Sequence, residues 1–273
     1  LVYTPFTPPF PNTGCAAAEC ELPSRDNTNS IDFDALERTA SDPAVKLMIL
    51  CNPHNPAGRV WSPEELRRIG EICLRNDVFV VADEIHCELI MPGFRHTPFA
   101  SLSNEFARRS VTCTSPSKAF NLAGLQVANI FAADAAIRER IGQTLALNET
   151  GEISPFAIEA LTAAYDEGAE WLDALNAYLH ENYLFLRDFL ARELPQYLVL
   201  PLEGTYLAWI DCRAAGMTSE ALTARLLADG RLFVNPGSIN GAAGEGFIRL
   251  NIACPRTLLA DGLERLKKAL TLR

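Results

Sequence analysis

Short continuous apolar runs recur along the first half of the chain: LMIL from Leu47, VFVVA from Val78, SVTCT from Ser110 and VANIFAA from Val127, with helical or turn-forming stretches between them. Runs of this length without polar alternation fit strands buried on both faces, as in a parallel sheet covered by helices. The helix between the first two is the best marked. Ser62 can cap it, Pro63 suits its first position and Glu65 completes a capping box, while Leu66, Ile69 and Ile72 or Cys73 supply a core-facing stripe. From Trp171 to Leu194 the spacing becomes that of one long amphipathic helix, with Leu172, Leu175, Leu179, Leu186 and Leu190 along one side. Beyond it YLVLP, GTYLAWID, LFVNPG and FIRLNIA read as strands, and Thr218–Asp229 as a helix. The pattern predicts an α/β fold. A mostly parallel sheet sandwiched by helices forms a large domain over residues 1–170, and a smaller α+β domain occupies residues 171–273.

Composition narrows the function. At 273 residues the chain exceeds one typical core, and 48% hydrophobic with 21% charged residues is the profile of a soluble globular protein. A formal net charge of -10 argues against an electrostatic grip on nucleic acid or an anionic membrane. No apolar run is long enough to span a bilayer and nothing resembles a secretory leader, so a cytoplasmic location is expected. Cys51, Cys73, Cys87 and Cys113 stand singly inside apolar runs and no CxxC pair appears, which fits buried free thiols better than disulfides. His54, His86, His96 and His180 form no paired ligand pattern, so no structural metal is expected. Small-molecule chemistry is the class that remains. The chain opens at Leu1 on a strand-like LVYTP, which reads as a start inside a domain.

In an open parallel sheet, ligands gather beyond the carboxyl ends of the strands, where loops and helix N-termini converge. The first strand leaves into CNPHNPAG, whose two Asn-Pro steps and Gly58 hold a tight non-helical path that can present the Asn55 amide at a fixed angle; an ordinary turn is the plainer alternative. The second leaves into ADEIHCE, with Asp83 at the ligand edge and His86 three residues on. A carboxylate there is costly to bury without a cation or a hydrogen-bond donor, although a helix cap would also employ one. His86 alone would be a satisfied core histidine. The third strand leaves into TSPSKAF. Lys118 alone would be a solvated surface residue, but an amine at this edge can attack a carbonyl, and Ser115 and Ser117 could hold a phosphate or simply cap the following helix. One ligand accounts for an amide, a carboxylate, two hydroxyls and an amine on successive strands. Pyridoxal 5'-phosphate has an aldehyde for the lysine, a pyridine nitrogen for the aspartate, a phenolic oxygen for the asparagine and a phosphate for the serines.

At these residues the sequence resembles the fold type I pyridoxal-phosphate enzymes of the aminotransferase class I/II superfamily, over nearly the whole chain. The motifs NPHNPAGRVW, VVADEIHCEL, RHTPFASLS, SPSKAFNLAGLQ, EGTYLAWID and GFIRLNIACPR look most like the MalY/PatB-type cysteine C-S lyases, often called cystathionine beta-lyases, with DEIH followed by HTPF pointing to that subgroup. The resemblance implies that Lys118 bonds the cofactor's aldehyde, Asp83 keeps the pyridine nitrogen protonated, Asn55 bonds the phenolic oxygen, and Ser115 and Ser117 bind phosphate. His86 would stand near the same phenolic oxygen, where aspartate-type aminotransferases have a tyrosine. Arg249 in FIRLN matches the arginine that clamps the substrate carboxylate, a task suited to a planar bidentate donor, with a strand-end surface arginine as the alternative. A homodimer with sites at the subunit interface, and a small-molecule amino-acid substrate, are also implied.

The chain departs from the family at three places. Gln126, eight residues after the lysine, stands where many aminotransferases have a phosphate-binding arginine, which favours the lyases. Thr7 in TPFTPPF stands where the family has an aromatic that stacks on the cofactor ring, with Phe6 or Phe10 as substitutes. The family's N-terminal segment, which carries a phosphate-binding turn and an edge strand beside VANIFAA, is expected to be missing. The expected activity is β-elimination from L-cystathionine or related L-cysteine S-conjugates, giving pyruvate, ammonia and a thiol. A pyridoxal-phosphate aminotransferase, and a catalytically impaired remnant or regulatory binding module, are the alternatives.

Overall fold

The structure, a computed structural model, describes residues 14–25 and 27–271. The LVYTP run and the candidate ring-stacking positions Phe6, Thr7 and Phe10 lie outside them. The chain divides into two compact units. The first comprises Phe33–His54 and Val60–Asn176; the second comprises Asn55–Arg59, the described residues from Ala177 on, and those up to Asp32.

Among the described residues, the sheet of the first unit has four strands in sequence order: β1 (Leu47–Cys51), β2 (Phe79–Asp83), β3 (Ser110–Thr114) and β4 (Asn129–Phe131). The first three are parallel and β4 runs antiparallel to β3. The expected mostly parallel α/β sheet is therefore present, with the VANIFAA run reversed. The 115–128 connection carries only a short helix, Pro116–Ala119, and a 3-10 turn, which leaves no crossover helix for a parallel return.

The helix α1 (Pro63–Arg75) forms as its sequence dictates. Ser62 Oγ accepts from the Glu65 amide at 3.1 Å, and Glu65 Oε2 accepts from the Ser62 amide at 2.8 Å. Leu66, Ile69, Ile72 and Cys73 are all buried. Gly70 lets this helix approach Phe106, since a Cβ there would lie 2.4 Å from the phenyl ring. Phe106 in turn stacks on Phe99 with ring centroids 5.2 Å apart. Because the capping box satisfies amides that the helix cannot, Ser62→Ala is expected to lower stability by about 1 kcal/mol with an unchanged denaturant slope, as read by urea unfolding.

The remaining helices of 100–200 are α2 (Asn104–Arg108), α3 (Pro116–Ala119), α4 (Ala135–Leu147), α5 (Pro155–Glu167) and α6 (Ala169–Glu193). On α6 the apolar stripe closes only from Leu179 onward, through Leu186 and Leu190; Leu172 and Leu175 are half-buried.

The second unit holds an antiparallel sheet of β5 (Leu198–Val199), β6 (Leu207–Asp211), β7 (Asn235–Pro236) and β8 (Phe247–Asn251), in the order β5-β6-β8-β7. It is accompanied by α7 (Ser219–Gly230), capped by Thr218, α8 (Arg256–Thr271) and the part of α6 from Ala177 on. Trp209 and Phe247 stack at 5.3 Å beside Leu200 in its core. Asn182 is buried without penalty: its Nδ2 donates to the Ile252 and Cys254 carbonyls and its Oδ1 accepts from Arg256 Nε. No helix among the described residues is long and apolar enough to cross a membrane.

Candidate active site

The parallel register aligns the carboxyl ends of the strands. Cys51 pairs with Asp83, and Asp83 with Cys113, so the residues that leave β1, β2 and β3 emerge side by side. The alignment continues one residue further, where the Asn52 amide donates to the Asp83 carbonyl at 3.0 Å and the Glu84 amide donates to the Cys113 carbonyl at 2.9 Å.

Asp83 ends β2 with its carboxylate half-buried. Burial pushes the pKa of this carboxyl above the usual range; the Ile85 amide, which donates to Oδ1 at 3.2 Å, and the charge of Lys118 pull it back, and Glu84 pushes it up again. Lys118 is thus close enough for its charge to act on Asp83. Cys113 reports the same neighbourhood from β3. Its thiol pKa is raised by burial and then by the Asp83 and Glu84 carboxylates.

His86 is buried, 3% exposed, in the turn after β2, where its carbonyl accepts from the Leu89 amide. Ser115 caps the one-turn helix α3: its Oγ accepts from the Ser117 amide at 3.1 Å and donates to the Val127 carbonyl at 2.6 Å. Its hydroxyl proton is therefore committed to the backbone. Ser117 and Lys118 follow on α3, both half-buried. Gln126 closes the next turn in a left-handed conformation, φ 53°.

The second unit carries the other two candidates. Arg249 lies on β8, where its Nη1 donates to Asn55 Oδ1 at 2.9 Å and its Nη2 to Asn235 Oδ1 at 3.2 Å. This contact fixes the Asn55 amide, because an oxygen that accepts from Arg249 leaves the Nδ2 hydrogens as the donors to any further partner. The loop bearing Asn55 is itself anchored. The Gly58 carbonyl accepts from the Glu203 and Gly204 amides at 2.8 and 3.0 Å, and Arg59 Nε donates to Glu203 Oε2 at 2.9 Å. Gly58 has φ +69°, and a Cβ there would lie 2.7 Å from Leu202 Cδ1. The strand-end arginine of the sequence is thus a half-buried group engaged by two asparagines.

Two features of the first unit escaped the sequence reading. One is a chain of bonds from Asn52 through His96 to Glu84. The other is Tyr165, whose hydroxyl pKa is pushed up by burial and then by Glu88 and Cys87. The HTPF motif held the signal for His96; nothing in the spacing marked Tyr165.

A sequence profile of the aminotransferase class I and II family matches residues 1–266. The chain is 45% identical over 270 residues to cystathionine beta-lyase PatB of Bacillus subtilis, covering 99% of this chain and 70% of that protein. It is 34% identical to protein MalY of Escherichia coli, covering 88% of this chain and 61% of MalY. Among solved structures it superposes with a TM-score of 0.96 on cystalysin of Treponema denticola, which contains a pyridoxal 5'-phosphate cofactor, at 38% identity over 98% of this chain and 68% of that one. With the pyridoxal-phosphate-bound C-S lyase of Staphylococcus hominis the TM-score is 0.93 at 34% identity, over 99% of this chain and 69% of that one. The chain belongs to the aminotransferase class I and II family.

Proposed function

We propose that the chain is a pyridoxal 5'-phosphate-dependent C-S β-lyase that cleaves L-cystathionine or a related L-cysteine S-conjugate. The observation that carries this reading is the Asp83–Lys118 arrangement. A carboxylate driven toward its neutral form by burial, with an amine near enough to act on its charge, stands at the ligand edge of a parallel sheet. A protonated ring nitrogen set against Asp83 would compensate the buried charge, so the residues present fit the cofactor. The likeness to PatB, MalY and the C-S lyase structures supports the choice of lyase.

When bound, the cofactor supplies an electron sink that accepts the pair left at the substrate's Cα once the α-proton departs. In this reading Lys118 would be the residue that holds the cofactor covalently, and its Nζ would be the group that takes the α-proton as general base. Asp83 would hold a proton on the ring nitrogen, and Asn55, whose Oδ1 is taken by Arg249, would turn its Nδ2 to the phenolic oxygen. His86 would stand near that oxygen. Ser117 offers its hydroxyl to the phosphate, while Ser115 holds the turn that presents it. Arg249 engages the substrate carboxylate. Loss of the β-thiolate and addition of water then give a thiol, pyruvate and ammonia.

The reading includes a homodimer, on the resemblance alone, and a cytoplasmic location, on the sequence pattern alone; sedimentation of the purified chain measures the first. The test of function is pyruvate release from L-cystathionine. The chain supplied with pyridoxal 5'-phosphate is expected to form pyruvate with no 2-oxo acid present, and strict dependence on an added 2-oxo acid would replace this reading with an aminotransferase.

A further inference from the structure

The HTPF motif supplies a histidine that the proposed chemistry leaves unused. His96 lies in the first unit with its side chain 10% exposed, and its Nε2 is 2.9 Å from Oε2 of Glu84, whose side chain is 2% exposed. Its Nδ1 is 3.3 Å from Asn52 Nδ2. The Asn52 amide cannot be turned over, because its Oδ1 accepts from the Trp61 amide at 3.0 Å and its Nδ2 also points at the Thr97 carbonyl at 3.4 Å. Nδ2 is therefore a donor toward His96, Nδ1 is the acceptor, and the ring proton sits on Nε2 and is given to Glu84. The other Glu84 oxygen accepts from the Phe99 amide at 2.8 Å.

Both neighbours of the imidazole are themselves tied to strand ends. Asn52 donates its amide to the Asp83 carbonyl, and Glu84 donates its amide to the Cys113 carbonyl. The imidazole closes a ring of bonds between the ends of β1 and β2, one residue beyond their last pair, and the Glu84 amide ties that ring to the end of β3. Glu84 follows Asp83 directly, and the peptide they share is bonded at both its carbonyl and its amide, so loosening the Glu84 end frees the backbone that carries the Asp83 side chain. Without the His96 proton, a buried carboxylate oxygen loses its donor, and the turn must move to find another.

We propose that His96 is a positioning residue, held as the Nε2–H tautomer by Asn52 and Glu84, which fixes the end of β2 so that the Asp83 carboxylate faces the cofactor's ring nitrogen. This rests on the assignment of Asp83 to that nitrogen.

The test uses the full chain in three measurements. Nitrogen-15 spectra of the histidine rings are expected to show His96 with a bare Nδ1 and a protonated Nε2. In His96→Leu, amide hydrogen exchange at Asn52, Glu84 and Phe99 is expected to rise about tenfold or more while the amides of Leu66 and Ile69 in α1 stay unchanged, and His96→Gln, which can still donate to Glu84, is expected to restore much of the protection. Affinity for pyridoxal 5'-phosphate, read by absorbance titration, is expected to fall about tenfold in His96→Leu and less in His96→Gln. A protonated Nδ1, unchanged exchange at the strand ends, or an equal rise in α1 would overturn the clamp whatever the cofactor does. Intact protection at the strand ends with no cofactor uptake by the unsubstituted chain would instead overturn the assignment of Asp83, and with it the purpose given to His96.

Discussion

Replacing Lys118 with alanine is expected to lower pyruvate formation from L-cystathionine by about ten-thousand-fold, the upper end of what a positioned base contributes. On the proposed reading two losses coincide in this variant: the amine that would bond the cofactor's aldehyde and the base that would take the α-proton. Both would fall to one side chain, because Lys118 leaves β3 on a helix of a single turn that is pinned by the Ser115 cap, near enough for its charge to act on Asp83. The fold is not expected to notice. Lys118 is half-buried, and the cap that shapes its turn belongs to Ser115 and Ser117. Circular dichroism of Lys118→Ala should therefore match that of the parent, while the rate does not. Partial recovery with a small added amine would separate the missing base from a misplaced backbone. A variant that keeps more than a tenth of the parent rate would remove Lys118 from the mechanism.

The second large effect is expected at Asp83, and it has two signs. Asp83→Asn should reduce kcat/KM by about a thousandfold, since an amide does not hold a proton on the ring nitrogen as a carboxylate does. The same substitution should stabilise the cofactor-free protein at neutral pH. Burial raises the folded-state pKa of this carboxyl, so the folded chain binds the proton more tightly than the unfolded one. Stability from that group is full in acid, below the ordinary aspartate range, and is lost as the pH rises through the folded-state value. Asparagine carries no such cost, so the gain of the variant over the parent should be absent in acid and grow toward neutrality. Melting temperatures of the two cofactor-free proteins across that range provide the check. A gain independent of pH would mean that desolvation of the carboxylate is not its source.

What the sequence disclosed and what it concealed divide along the range of the interactions. The capping box at Ser62 and Glu65 involves residues three apart, and spacing alone revealed it. The buried runs at β1, β2 and β3 were equally plain, because strands covered on both faces leave an uninterrupted apolar trace. From those strands the positions of Asp83 and Lys118 at one sheet edge followed directly. The helix α4 left no such trace: none of its residues is fully buried, so no core-facing stripe stood out. Ser115 admitted two readings, phosphate ligand or cap, and only the position of the Val127 carbonyl, twelve residues away, shows where its proton goes. The assignment of Asn55–Arg59 to the second unit was hidden for the same reason. It depends on Glu203 and Gly204, which bond the Gly58 carbonyl from far along the chain. The His96 network spans 44 residues to Asn52 and 12 to Glu84, beyond any local pattern, although the HTPF motif drew attention to its centre.

The covalent bond between the cofactor and one lysine is the claim from which the rest descends, and it can be read as a mass. The chain is mixed with pyridoxal 5'-phosphate, reduced with borohydride, digested and weighed. The reduced pyridoxyl group is expected on the peptide that contains Lys118, with Lys46, Lys267 and Lys268 unmodified at equimolar cofactor. Attachment at another lysine, or a chain that cleaves L-cystathionine yet carries no such group after reduction, would contradict it.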